Sequence, residues 1–422
     1  MKPFARLMCL ACALLSNLYP FASMAFVVPG PSTRSSILSD NSRSFFTLPE
    51  TASRQAGMGR AERSGVQMVA AADKASTETM GVGTAALDWE NLGFEYRDVN
   101  CHIKFTFTEG KGWSEGEYVE ESYVKVHIAN TAMHYGQAVF EGLKAFHCKD
   151  GRVRIFRPSE NAKRIHNSAS RILMEPPPED LFIKACKMAV QANMEFVPPY
   201  GYDGALYLRP LLFGSGPRIG LQPSDEYTLL VMAIPVGDYY KGGAKANTAV
   251  VMEDYDRAAP KGVGHVKVAG NYAADMLPNM LAKKAGYPIG LYLDAKTNTL
   301  VEEFSTSNFF AVTKDNKFVT PDSPAVLPSI TNKSLMELAA DIGMVVEQRP
   351  VPLTEVTSFK EVAACGTAVV VTPIKQIVSG GEVIQINEGS GEMGPVCQML
   401  YDRVRAVQAG EAEDKFGWME AV

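Results

Sequence analysis

The pair Asp150-Gly151 divides the stretch LKAFHCKDGRVRIFRP into two β-rich runs. Asp-Gly tolerates positive φ at both turn positions and closes a tight hairpin, so the two runs pair antiparallel. That constrains the architecture more than any other local signal. HIKFTFTEG and YVKVHIA alternate as strands do, and ALYLRPLLFG and YTLLVMAIPVG read as two more. SENAKRIHNSASRIL and LFIKACKMAVQANMEFV carry helical spacing, with Ser159 as the N-cap of the first. Hairpins mixed with amphipathic helices predict α+β or α/β organisation, with α+β fitting this block better than a doubly wound sheet.

A second block follows. GDYYKGGAKAN is polar and glycine-containing between apolar runs, which marks residues 237–247 as an interdomain linker. TAVVMED opens this block, MLPNMLAKKAG reads as a helix closed by Gly286, and IGLYLD as a strand. FFAVTKDNKFVTP turns at Asp315-Asn316, and TAVVVTPI reads as a buried strand. SITNKSLMELAADIG is a helix capped by Ser329 or Thr331 and ended by Gly343. Order is expected from about Leu87, with a small domain over 87–236 and a large one over 248–422.

The first 75 residues are not part of that fold. MKPFAR precedes an apolar run of signal-peptide length, and SMA before Phe26 supplies small residues for cleavage. Residues 27–72 then carry five arginines, many serines and only Asp40, Glu50 and Glu62, a transit-peptide composition. A signal followed by a transit segment, with Phe at the junction, resembles the bipartite leaders of complex plastids. Mitochondrial residence and secretion are the alternatives. Residues 1–75 hold eight basic and four acidic side chains, so the net charge of −6 leaves −10 on the remainder. An acidic body of that kind is not a nucleic-acid binder, and the mature form needs no membrane. Cys101, Cys148, Cys186, Cys365 and Cys397 form no CxxC pairs and read as reduced, mostly buried thiols; no metal site is expected.

Several residues carry chemistry. Lys267 lies in GVGHVKVAGNY among glycines, valines and an alanine. Apolar surroundings desolvate an ammonium and lower its pKa, and a neutral amine attacks aldehydes to form a Schiff base. In LVEEFSTSNFF, strand alternation sends one of Glu302 and Glu303 inward, where a carboxylate would hold a pyridine nitrogen protonated. Ser329, Ile330 and Thr331 start a helix, whose free amides attract a phosphate, and Arg164 can add a guanidinium. GSGPRIG is a weak glycine pattern without the strand–loop–helix context of a nucleotide site.

Taken together and in order, VFEGLKAF, LYLRPLLFG, GHVKVAGNY, VEEFSTSNFF, LPSITNKSL and CGTAVVVTP resemble the class IV (fold type IV) pyridoxal-phosphate aminotransferases, and among them the branched-chain amino-acid aminotransferases. The likeness runs from about Trp89 to Trp418. It implies a two-domain fold, pyridoxal 5'-phosphate as cofactor, a homodimer, and reversible exchange of amino groups between leucine, isoleucine or valine and 2-oxoglutarate. By that resemblance Lys267 is the cofactor lysine and proton shuttle. Tyr272 bonds the ring hydroxyl and Glu303 the ring nitrogen. Arg164, Ile330, Thr331 and Thr367 cup the phosphate. On the substrate side it implies Tyr207 and the Ala368 amide for the α-carboxylate, Tyr135, Phe140 and Tyr239 as apolar walls, and Arg209 for the distal carboxylate of glutamate. Valines stand where animal members carry CxxC, so no thiol switch is expected; the likeness is to plant and bacterial types. D-amino-acid aminotransferase and aminodeoxychorismate lyase activities are the alternatives on this fold, and a non-catalytic binding protein lies further off. The six histidines read as structural, with His265 close enough to Lys267 to line the site.

Overall fold

The computed structural model describes residues 81–237, 245–386 and 392–422. The leader and Tyr239 therefore lie outside the described residues, as does most of the 237–247 linker. Before Leu87, the Gly83 and Ala85 amides donate to the Met194 and Glu195 carbonyls.

Strands β1 (His102–Thr108), β2 (Gly112–Trp113), β3 (Glu117–Val119), β4 (Ala138–Phe140), β5 (Leu143–His147), β6 (Val153–Phe156), β7 (Ala205–Gly214) and β8 (Glu226–Val236) build a first sheet. All its pairings are antiparallel. The β5–β6 hairpin turns at Asp150-Gly151, with Gly151 at φ 78°. Alternation misleads at YVKVHIA: residues 123–129 form no strand, and Tyr123 and Ile128 are exposed. A period of two makes a strand only where a neighbouring edge satisfies its amides.

Helices α1 (Thr131–Tyr135), α2 (Pro158–Arg171) and α3 (Glu179–Ala192) belong to this half, and α3 packs on β1, β7 and β8. Ser159 is not the N-cap of α2. The helix begins a residue earlier at Pro158, whose fixed φ suits the first helical position, behind Arg157 at φ 49°. Ile103, Phe105, Ile155, Ile165, Phe182 and Leu208 fill the core between helices and sheet.

The second sheet comprises β9 (Asn247–Val251), β10 (Ile289–Leu293), β11 (Leu300–Phe304), β12 (Ser307–Val312), β13 (Phe318–Pro321), β14 (Val346–Arg349), β15 (Val351–Pro352), β16 (Glu361–Gly366), β17 (Val370–Ser379) and β18 (Glu382–Gln385). It is mixed, since β9 runs parallel to β10 and β17, and β13 parallel to β14, while the other pairings are antiparallel. Helices α4 (Ala269–Lys284), α5 (Ile330–Asp341) and α6 (Pro395–Gln408) accompany it. Gly286 at φ 91° and Gly343 at φ 84° stop α4 and α5. Ser329 caps α5 by accepting from the Asn332 amide. The last strand, β19 (Met419–Ala421), returns to pair with β6 of the first sheet.

TAVVVTPI is not one strand. β16 ends at Gly366, residues 367–369 turn, and β17 begins at Val370, held at φ 62° while the Val371 amide donates to the Val369 carbonyl. That is a γ-turn of the rare hand, and a β-branched residue there is strained.

The five described cysteines are free and buried. Among the described residues no helix is long and apolar enough to cross a membrane, and no His, Cys, Asp and Glu cluster could hold a metal ion.

Candidate active site

Lys267 lies two residues before α4, and two elements fix its backbone. Its amide donates to Ser168 Oγ of α2 at 3.0 Å, and its carbonyl accepts from the Phe140 amide of β4 at 3.2 Å. Val139 and Val268 form an isolated bridge beside it. The loop before it is tight: a Cβ on Gly264 would lie 2.1 Å from the Ala325 carbonyl oxygen. The side chain therefore enters the cleft at a fixed point. Its amine sits 4.6 Å from the Phe140 ring centroid and 2.7 Å from the Tyr272 hydroxyl.

Burial first, and then the charges of Arg164 and Arg209, lower the Lys267 pKa to about 7, against Glu141 and Glu303. Burial also raises the Tyr272 hydroxyl well above its ordinary range. At neutral pH about half of the amine is therefore unprotonated, beside a protonated phenol.

Glu303 lies on β11 with 4% exposure. It accepts from the Leu327 amide at 3.0 Å and from Asn308 Nδ2 at 3.4 Å, and pairs closely with Arg257. Desolvation raises its pKa to about 7, opposed by Arg257 and the Leu327 amide. Its neighbour Glu302 does not face water, contrary to the simple alternation. It is 3% exposed and accepts from Ser323 Oγ at 2.6 Å, because β11 is an interior strand covered on both faces.

Arg164, on α2, is drawn into the interior by Glu141. Nε donates to Oε1 at 2.8 Å, NH2 to Oε2 at 2.7 Å, and NH1 to the Pro328 carbonyl at 3.0 Å, beside the start of α5. There Ser329 occupies the Asn332 and Lys333 amides, and the earlier amides of Ile330 and Thr331 have no intrahelical partner. Thr367 Oγ1 lies 3.4 Å from the Gly142 carbonyl, and the Ala368 carbonyl accepts from the buried Lys144 at 2.8 Å.

A cleft of roughly 550 Å³, continuous with solvent, brings together Arg164, Lys267, Tyr272, Glu303 and Thr367. Ile330 and Thr331 line an adjoining cavity that shares Thr367. Tyr207 and Arg209 do not line that cleft but stand beside Phe140: Arg209 donates to the Tyr207 hydroxyl at 3.1 Å and lies 5.0 Å from the Phe140 ring centroid. Tyr135 is exposed, with its hydroxyl on the Ile219 carbonyl, and does not line the cleft; nor does His265. Sequence reasoning missed Arg257, Glu141, Ser168 and Lys144. Glu141 gave a signal, a lone acid in the apolar run VFEGLKAF.

The donor set suits a phosphorylated pyridine aldehyde. Helix amides and a guanidinium stand at one end, a buried carboxylate at the other, and a primary amine of lowered pKa with a phenol between them.

Residues 138–377 match the family model described as Amino-transferase class IV, and the chain belongs to that family of enzymes. It is 44% identical over 342 residues to a branched-chain-amino-acid aminotransferase of Haemophilus influenzae, covering 80% of this chain and 99% of that relative. Identity is 40% over 338 residues to the chloroplastic branched-chain amino acid aminotransferase 2 of Humulus lupulus, with 80% and 82% covered. Among solved structures, the branched-chain amino acid aminotransferase from Escherichia coli superposes with a TM-score of 0.61 at 27% identity, covering 76% of this chain and 98% of that one.

Proposed function

We propose that this enzyme catalyses the reversible transamination of L-leucine, L-isoleucine and L-valine with 2-oxoglutarate, giving branched-chain 2-oxo acids and L-glutamate, with pyridoxal 5'-phosphate as cofactor. The observation that carries the reading is Lys267: an amine with its pKa lowered to about 7, in one cleft with Glu303 and Arg164. When bound, the cofactor supplies the aldehyde that receives the amino group and a ring that spreads negative charge.

The chain's own residues do the rest. Lys267 Nζ would hold the cofactor through its aldehyde carbon and, once freed, would take the substrate Cα proton, a role suited to a pKa near the working pH. A Glu303 carboxylate oxygen would hold the proton of the ring nitrogen. Tyr272 would donate to the ring hydroxyl oxygen. Arg164, Thr367 and the amides of Ile330 and Thr331 would bind the phosphate. Tyr207 and the Ala368 amide orient the α-carboxylate. Phe140, with Tyr239, gives the aliphatic side chain an apolar wall, and Arg209 meets the distal carboxylate of glutamate. An apolar site with one cation at its edge admits both substrates in turn.

The same proposal includes the remaining assignments. Two domains, 87–236 and 248–422, are supported by the way each sheet draws its strands from one segment, β19 excepted. A homodimer is supported by exposed apolar side chains such as Ile128, Met133, Leu221 and Met276. Plastid targeting rests on the composition of residues 1–75 and on the chloroplastic relative. The test is glutamate formation from 2-oxoglutarate with each L-amino acid and its D-enantiomer. Turnover of L-leucine, L-isoleucine and L-valine is expected; turnover confined to D-amino acids would refute the assignment.

A further inference from the structure

Glu141 is completely buried, and the mechanism above does not use it. It directly follows Phe140, whose amide holds the Lys267 carbonyl, and its own amide is anchored on the Pro210 carbonyl at 2.8 Å. Each carboxylate oxygen takes one N–H of Arg164. Asn161 Nδ2 donates to Oε2 at 2.7 Å, and the Gly142 amide also reaches Oε2, at 3.3 Å. The carboxylate is thus fully satisfied and rigid, and the guanidinium is fixed by it in a two-point fork. Arginine has five N–H donors; Glu141 takes two and the Pro328 carbonyl one, which leaves two for a ligand.

We infer that Glu141 is a positioning residue: it aims the Arg164 guanidinium into the cleft and cancels its charge there, so that phosphate is gripped by fixed donors rather than by net charge. The inference rests on the cofactor reading only in taking phosphate as the ligand. Charges reach the Lys267 amine from every side of the cleft: Arg164 from α2, Arg209 from β7, Glu141 from the β4–β5 connection, and Glu303 from β11, itself paired with Arg257. Tyr272 of α4 touches it. Three arginines and two carboxylates therefore surround one lysine. Losing Glu141 leaves three cations against one anion, which makes the ammonium form of Lys267 less favourable and phosphate binding stronger. Loss of the aim alone would weaken phosphate binding, so the Lys267 titration is the readout that a merely structural role would not move.

The test uses full-length protein freed of cofactor, with inorganic phosphate as the probe and two readouts. One is phosphate affinity by calorimetry. The other is the Lys267 pKa, from the pH dependence of acetic-anhydride labelling of its peptide by mass spectrometry. Glu141→Gln keeps a hydrogen-bonding side chain and removes the charge. It is expected to bind phosphate about tenfold more tightly and to titrate at Lys267 about one unit lower. Arg164→Met is expected to titrate higher than wild type. The double variant Glu141→Gln/Arg164→Met replaces the buried pair with neutral groups and is expected near wild type at Lys267, with phosphate affinity lost. If Glu141→Gln does not fold, the double variant must still titrate below Arg164→Met alone. Weaker phosphate binding by a folded Glu141→Gln, or a Lys267 pKa that ignores residue 141 in both backgrounds, overturns the inference. A wild-type protein that binds no phosphate counts against the cofactor reading, while the Lys267 ordering still decides this one.

Discussion

Two buried carboxylate–guanidinium pairs flank Lys267, and they meet the cleft differently. In the first half of the molecule Glu141 stays behind and only Arg164 lines the cleft; in the second, Glu303 and Arg257 both line it. The first pair thus presents a cation alone, and the second presents a carboxylate held by its guanidinium. A buried ion pair contributes little net stability, because desolvation offsets attraction. What it supplies here is orientation and a chosen sign of charge, at the places where a phosphate and a pyridine nitrogen would need them.

The sharpest way to break this arrangement is to remove what it surrounds. Lys267→Ala is expected to lower kcat with L-leucine and 2-oxoglutarate by at least about 10³-fold, since the proposed nucleophile and proton carrier is lost. Steady-state kinetics checks it. Next comes the second pair. Arg257→Met removes the charge that opposes desolvation of Glu303, so the Glu303 pKa rises above about 7. The variant is expected to lose most of its kcat at pH 7 and to regain part of it toward pH 9, in a pH–rate profile displaced upward from wild type.

Cofactor-free protein gives a further contrast, because the two titrating groups have opposite signs. The Lys267 pKa falls from 10.5 to about 7 on folding, so its contribution to stability is present above about pH 10 and is lost as pH falls through 7. Glu303 rises from 4.5 to about 7, so its contribution is present below about pH 4.5 and lost as pH rises through 7. Urea melts of Lys267→Met should therefore gain on wild type as pH drops from 10 to about 7, and Glu303→Gln should gain as pH climbs from 4.5 to about 7.

Smaller effects probe the supports. A Cβ on Gly142 would lie 2.3 Å from the Tyr207 hydroxyl, so Gly142→Ala should displace Tyr207 and raise the KM for the amino acid by roughly tenfold, more than it changes kcat. Ser329→Ala removes the side-chain cap of α5 and is expected to cost about 1 kcal/mol in denaturant melts.

What could be read from the chain beforehand follows from distance along it. Turns at Asp150-Gly151 and Asp315-Asn316, and stops at Gly286 and Gly343, depend on a few adjacent residues, and their φ values bear them out. Lys267 stood out for the same reason, because its small neighbours are its sequence neighbours. Glu141 and Arg257 did not, because each meaning comes from a partner 23 or 46 residues away. The segment 123–129 failed because alternation says nothing about whether a neighbouring edge exists. At 367–370 propensity pointed the wrong way: a valine, the residue type that most favours strands, takes the strained turn that puts Thr367 into the cleft.

If Lys267 captures the cofactor aldehyde, borohydride reduction of the full-length protein loaded with pyridoxal phosphate fixes the cofactor on that one side chain. Peptide mass spectrometry should then find the pyridoxyl phosphate mass on the peptide containing Lys267 and find none there in Lys267→Ala. Label on a different lysine, or on none, would refute the assignment.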